Sequence, residues 1–397
     1  MLECQFPKNF LWGVAISGHQ TEGNNLNSDW YAWERQGKIM DGNNSGRACG
    51  FYHRYQEDID LAKKLNLNSF RLGIEWSRIE PKRGEFDQKE IQHYRDVLLY
   101  LKKNNFKVFL TIWHFTLPQW FAEEVGWEGK ESVFYFCRYL EKIIEKFSDL
   151  VDFWVTLNEP TMYVGAAYLI NIWPPQKKSI LKTIQVFFNL VKAHKKSYQL
   201  IHQKIKNAQV GIAQNVVYFH SPARSPIDKQ LSWLFNHFYN ELFHLLTKKF
   251  HDFIGLNYYY AYQVTNIKLA KKIRRIIVRS LRKKDLRVEI YPRGIYRLVK
   301  MFKKYKRPIY ITENGIDDST DEKRIPFIQE TLKWLNQGLK ENVDIRGYLH
   351  WSLIDNFEWQ EGFEPRYGLI EIDYQTQERK PRPSAQIYAE ICRENGF

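Results

Sequence analysis

Two acidic residues close short apolar runs in the same manner: Glu159 in Thr156-Leu157-Asn158-Glu159-Pro160 and Glu313 in Ile311-Thr312-Glu313-Asn314-Gly315. Each run reads as a buried parallel strand, and each acid has an Asn beside it that can hydrogen-bond a ligand or orient a neighbour. Cleaving an acetal requires one carboxyl to protonate the departing oxygen and a second to stabilise or trap the positive anomeric carbon. A lone Glu at a strand end is more often half of a structural ion pair. Two of them at matching strand ends, brought to one pocket, would be the pair this chemistry needs. Pro160 disfavours helical torsions at Glu159 and predicts an extended end to that strand.

The elements that must position this pair repeat along the chain. Strand character falls at 10–16, 69–74, 107–112, 153–157, 210–214, 253–256, 308–312 and 346–350. Amphipathic helical stretches lie between most of them, including 52–65, 88–103, 131–147, 179–204, 229–250 and 324–340. Strand and helix alternating eight times predicts an α/β fold, a single (β/α)8 TIM barrel. An open doubly wound sheet is the alternative, but no Gly-rich phosphate loop follows the first strand. Gln20, Arg71, His114, Asn158, Glu159, Asn215, Asn257, Tyr259, Glu313 and Trp351 all sit just past strand ends, which in a barrel share one mouth.

Composition narrows the class further. The 397 residues show no linker or low-complexity block, so one domain spanning 1–397 is expected; 44% hydrophobic and 16% aromatic residues supply a core. The thirteen Trp suit sugar stacking as well as core packing. Cys4, Cys49, Cys137 and Cys392 are widely spaced and match neither a metal pattern nor a disulfide framework, so no metal and no cofactor is expected. The first residues are too polar for a signal peptide and no run reaches membrane-spanning length, which predicts a soluble, cytoplasmic protein. The net charge of +14 is local: 268–307 carries 17 basic and 2 acidic residues, or +15, leaving −1 elsewhere. That argues against nucleic acid as a partner.

Taken together, the motifs resemble those of family 1 glycoside hydrolases, the β-glucosidases, β-galactosidases and 6-phospho-β-glycosidases. The resemblance runs nearly the whole length: Phe10-Leu11-Trp12-Gly13-Val14-Ala15, Gln20-Thr21-Glu22-Gly23, Phe70-Arg71-Leu72-Gly73-Ile74-Glu75-Trp76-Ser77-Arg78, Asn158-Glu159-Pro160, Gly255-Leu256-Asn257-Tyr258-Tyr259, Thr312-Glu313-Asn314-Gly315, and Trp351 through Trp359. It implies a retaining exo-β-glycosidase acting on a small-molecule β-glycoside, with Glu159 as general acid/base and Glu313 as nucleophile. By the same resemblance Arg71 and Tyr259 orient Glu313. Gln20, His114, Asn158, Glu358 and Trp359 would hydrogen-bond the sugar, with Trp351 as its stacking platform. Asn215 and Asn257 would either touch sugar or orient neighbours such as Glu159. Glu358 stands where the 6-phospho branch normally has a small residue, so unphosphorylated sugar is implied.

The chain also departs from the family pattern. One helical stretch, 229–250, replaces a longer excursion between strands five and six, which predicts a trimmed helical layer there. After Tyr259, 266–290 reads as a basic amphipathic insertion; 268–307 could meet an anionic membrane surface or an acidic partner. The rival readings are a 6-phospho-β-glycosidase, a non-catalytic sugar-binding or membrane-associated relative, and an enzyme that transfers the glycosyl group to an alcohol or sugar. The intact acid pair argues against the non-catalytic reading.

Overall fold

The structure is a computed structural model describing residues 4–221, 226–264 and 288–397. Eight parallel strands close on themselves: β1 (Leu11–Ala15), β2 (Ser69–Gly73), β3 (Lys107–Thr111), β4 (Phe153–Asn158), β5 (Gln209–His220), β6 (Ile254–Gln263), β8 (Ile309–Asn314) and β9 (Ile345–Trp351). β1 pairs with both β2 and β9, which completes the ring, and a two-residue strand β7 (Val288–Glu289) runs antiparallel beside β6. A closed parallel barrel buries both faces of its strands, and β2, for example, is buried at every position.

The barrel interior is filled low down by Phe109, Val155, Ala213, Phe253, Tyr310 and Leu349. Phe153 stacks on Phe109 with centroids 4.1 Å apart, and Tyr310 meets both rings edge-on. Because side chains alternate with a period of two, the next inward positions after Phe109, Ala213 and Leu349 are Thr111, Asn215 and Trp351. The aromatic floor thus lies directly beneath the strand ends that carry the polar residues. At Gly315 a Cβ would stand 1.9 Å from the Trp351 carbonyl oxygen, so glycine lets the chain after Glu313 pass against the end of β9.

Helices ring the barrel: α1 (Phe51–Lys64), α2 (Gln88–Lys103), α3 (Ser132–Phe147), α4 (Ile180–Lys204), α5 (Pro226–Thr247), α6 (Arg293–Phe302), α7 (Arg324–Lys340) and α8 (Pro383–Glu394). Their starts are capped where the sequence provides an acceptor: Asp87 accepts from the amides of Lys89 and Glu90, and Ser179 from that of Lys182. A second, larger core fills the space between the helices and the barrel's outer face.

Helix α5 packs against β5. The side chain of Asn240 on α5 accepts from the Val217 amide and donates to the Val217 carbonyl, each at 2.9 Å, and so ties the helix to β5. The outward side of α5 leaves Ile227, Trp233, Leu234 and Phe238 exposed. Of the basic stretch, 265–287 lies outside the described residues. The part that is described is engaged with the rest of the fold: Lys300 pairs with Glu341 at 2.6 Å, Lys304 with Glu241 at 2.5 Å, and Arg293 lies over the Trp334 ring. No helix among the described residues is long and apolar enough to cross a membrane.

Candidate active site

The two acids emerge from β4 and β8 by different local routes. Glu159 follows β4 with φ 43° and ψ 54°, the left-handed region, where the expectation had been an extended end. Pro160 excludes right-handed helical torsions at this position but leaves the left-handed region open. There the Glu159 amide turns to the Ala213 carbonyl of β5 at 2.7 Å. Holding a residue other than glycine there costs about 1–3 kcal/mol, and Trp359, with φ 53°, is a second case in the same pocket. Glu313 stays within β8, where the register slips between Ile311 and Asn314.

Arg71 holds Glu313. Its Nη1 lies 2.5 Å from Glu313 Oε1, and the pair is almost wholly buried. The rest of the guanidinium is also occupied: Nε donates to Thr111 Oγ1, Nη1 to the Thr312 carbonyl and Nη2 to Asn158 Oδ1. Tyr259 donates its phenol to the other oxygen, Oε2, at 2.6 Å. A buried charge stays ionised only with such partners.

Among the described residues no cation forms an ion pair with Glu159, although the charge of Arg71 acts on it. Its partners are amides: Asn257 Nδ2 donates to Oε1 at 2.8 Å, and Asn215 also hydrogen-bonds the carboxyl. The same Asn257 Nδ2 also donates to Asn158 Oδ1 at 3.2 Å, which ties the Glu159 partner to the residue that Arg71 holds. Burial raises both carboxyl pKa values. Arg71 and the Tyr259 hydroxyl oppose that rise at Glu313, whereas the charge of Glu313 adds to it at Glu159, which is pushed up to about 8. These opposing influences favour the proton on Glu159 and the charge on Glu313.

Around the acids the polar side chains hold one another in fixed orientations. Asn158 Oδ1 accepts from Arg71, so its Nδ2 must be the end that faces His114 Nε2 at 3.0 Å. His114 Nε2 is therefore an acceptor and the ring is neutral, in keeping with a pKa driven well below its usual value by burial and then by Arg71. Its ring lies near-parallel to both Trp351 and Trp359, with centroids 6.0 and 5.9 Å away. Glu358 accepts from Trp351 Nε1 at 3.1 Å and from Gln20 Nε2 at 3.4 Å. Gln20 is itself fixed by Ser17 and Asn356.

The residues picked out in the sequence converge. All except Arg71 and Asn257 line one pocket of about 360 Å³, and those two are buried behind its wall. Asn215 and Asn257 both engage Glu159. The sequence reading missed Thr312, whose hydroxyl donates to Asn257 Oδ1 at 2.7 Å, and Tyr239, whose phenol donates to Asn215 Oδ1 at 2.9 Å. It also missed the outer wall, where Met162, Trp173, Tyr260, Ile290 and Ile316 line the pocket. Thr312 could have been flagged by its place beside Glu313, whereas Tyr239 lies mid-helix with no local signal. Among the described residues no cluster of three or more His, Cys, Asp or Glu is arranged to hold a metal ion.

Comparison with known proteins agrees with this geometry. The model for glycosyl hydrolase family 1 matches residues 2–247 and 229–397. The chain is 30% identical over 440 residues to a protein named beta-glucosidase A from Thermotoga maritima, covering 99% of each chain. It is 30% identical over 505 residues to a beta-galactosidase from Pyrococcus woesei, covering 98% of each. A solved beta-glycosidase from Pyrococcus horikoshii superposes with a TM-score of 0.90 at 35% identity, covering 100% of this chain and 96% of that one. A match from end to end, on a barrel whose strand ends gather two buried carboxyls into one pocket, leaves a single assignment: this chain belongs to glycosyl hydrolase family 1 and is an O-glycosyl hydrolase of the β-glycosidase kind.

Proposed function

We propose that this protein is a retaining exo-β-glycosidase that releases terminal, unphosphorylated β-D-glucosyl residues, with galactosyl and fucosyl as secondary substrates. Glu159 acts as general acid/base and Glu313 as nucleophile. The observation that carries this reading is the asymmetry of the pair: Glu313 is held by the Arg71 ion pair and Tyr259, while the hydrogen-bond partners of Glu159 among the described residues are amides.

The steps follow from the electrostatics. The ionised Glu313 attacks the anomeric carbon while protonated Glu159 gives its proton to the leaving oxygen. Ester formation removes the charge on Glu313, and with it one of the causes that raise the pKa of Glu159. Glu159 is then the stronger acid, ionised, and able to take a proton from the incoming water. No cofactor enters the scheme.

Glu358 supports the choice of a neutral sugar. A carboxylate bridged to Trp351 and Gln20 can accept from two hydroxyls, and would repel a 6-phosphate. The apolar outer wall supports a leaving group with a hydrophobic face. Four free thiols support a reducing, cytoplasmic setting. The test is a panel of aryl β-glucosides, β-galactosides, β-fucosides and their 6-phosphates, with the first-formed anomer followed by proton NMR. The expected first product is β-glucose. Faster hydrolysis of the 6-phosphates, or an α-anomer as first product, would overturn the proposal.

A further inference from the structure

We infer that Tyr239, on helix α5 outside the barrel, is a positioning residue for the Glu159 carboxyl, acting through Asn215. The inference rests on the assignment of Glu159 as acid/base proposed above. An asparagine amide has a donor end and an acceptor end that are nearly the same shape, so its effect on a neighbouring carboxyl depends on which end faces it. With the NH2 end toward the acid, it stabilises the carboxylate. With the carbonyl end, it accepts from the protonated acid and stabilises that form.

Two amides face Glu159, and a hydroxyl occupies the carbonyl oxygen of each. Thr312 Oγ1 donates to Asn257 Oδ1 at 2.7 Å, and Asn257 Nδ2 then faces Glu159 Oε1 at 2.8 Å. Tyr239 donates to Asn215 Oδ1 at 2.9 Å, which leaves the Asn215 NH2 as the end available to Glu159. Burial raises the Tyr239 pKa, so the phenol keeps its proton and remains a donor through the working range. The two locks differ in origin: Thr312 is part of the barrel, adjoining Glu313, whereas Tyr239 reaches in from the surrounding helical layer. Asn240, the next residue, bonds β5 at Val217 and fixes the height of α5 along the strand that carries Asn215.

Other groups also act on Glu159. Glu313 on β8 and Arg71 on β2 contribute charge, and Tyr259 and Tyr260 on β6 interact with it as well. Tyr239 also interacts with Glu159 directly through its charge, and the Asn215→Ala background separates that path from the one through Asn215. In Tyr239→Phe the ring remains while Asn215 becomes free to turn its carbonyl toward the protonated acid.

The measurement is the pH profile of kcat/KM on an aryl β-glucoside for the wild type, Tyr239→Phe, Asn215→Ala and the double variant, with melting temperatures alongside. In Tyr239→Phe the alkaline limb is expected to move up by about 0.5–1 pH unit, with KM within about twofold of wild type. In the Asn215→Ala background the second substitution is expected to move it no further. An unmoved limb in Tyr239→Phe, or an equal displacement with and without Asn215, would overturn the inference. Glu159→Ala, assayed with and without azide, separates the two levels. Unimpaired hydrolysis in that variant removes the acid/base assignment and this inference with it. An acid/base phenotype there, together with an unmoved limb in Tyr239→Phe, removes only the role of Tyr239.

Discussion

Arg71 and Glu313 meet at 2.5 Å with side chains 1% and 5% exposed, and the same guanidinium reaches the ends of β3 and β4. Removing one member of a buried pair leaves the other charge uncompensated, at about 3–5 kcal/mol. Arg71→Ala is therefore expected to lower both the melting temperature and kcat, the latter by at least about 10²-fold as Glu313 takes up a proton. Arg71→Lys keeps the charge but not the planar fork, and should recover stability better than activity. Thermal melts and steady-state assays on the two variants check this ordering.

The proposed role of Glu159 requires it to hold its proton when substrate arrives, and a pKa pushed up to about 8 sets where that condition fails. The kcat/KM profile of the free enzyme is expected to fall above about pH 8. Glu159→Ala should flatten that limb and cost about 10²–10⁴-fold on substrates with poor leaving groups. Activated aryl glycosides should be less affected, and azide should restore part of their turnover as a β-glycosyl azide. A limb that persisted unchanged in Glu159→Ala would belong to another group.

In the proposed mechanism Glu313 supplies the covalent bond, and none of the residues that contact it can replace its carboxylate. Glu313→Ala is expected to abolish the ordinary reaction. A 2-deoxy-2-fluoro glucoside should add one sugar mass to the peptide containing residue 313 in the wild type and none in the variant. Retention of ordinary hydrolysis by the variant would sink the mechanism.

Three buried histidines outside the pocket predict how the fold responds to acid. His194, His244 and His251 stack with centroid separations of 4.5 and 4.7 Å. Burial is the first cause lowering each pKa, to about 3 for His194 and His244. Their folded pKa values lie below the unfolded value, so the unfolded chain binds more protons as the pH drops. Stability is full above about pH 6.5 and is lost progressively toward pH 3, by about 2 kcal/mol per histidine at pH 5. Both ring nitrogens of His244 lack a partner among the described residues. His244→Phe should therefore leave the melting temperature at pH 7.5 close to wild type and reduce its fall between pH 7.5 and pH 5. An undiminished fall would assign the acid sensitivity elsewhere.

All eight barrel strands were legible because each is a short apolar run with a polar residue at its end, and closed parallel barrels leave that mark. The long continuations of β5 to His220 and β6 to Gln263 were not: past the barrel rim they pair with each other, and β6 also with β7, without a continuous buried run. The acids and their carbohydrate-type neighbours were legible as motifs. The left-handed turn at Glu159 was not, since a following proline excludes one region of torsion space and does not choose between the others. Tyr239 was invisible for a different reason. Its role depends on how α5 seats against β5, a contact made by Asn240, and nothing within a few residues of either encodes it.

The manifold attachment of Arg71 has one last consequence. A single side chain joins β2 to the rims of β3, β4 and β8, so a slight loosening of the barrel's upper edge disturbs the nucleophile before any helix melts. Turnover should then be a finer gauge of rim breathing than ellipticity is, fading at denaturant concentrations where the circular dichroism spectrum still looks native.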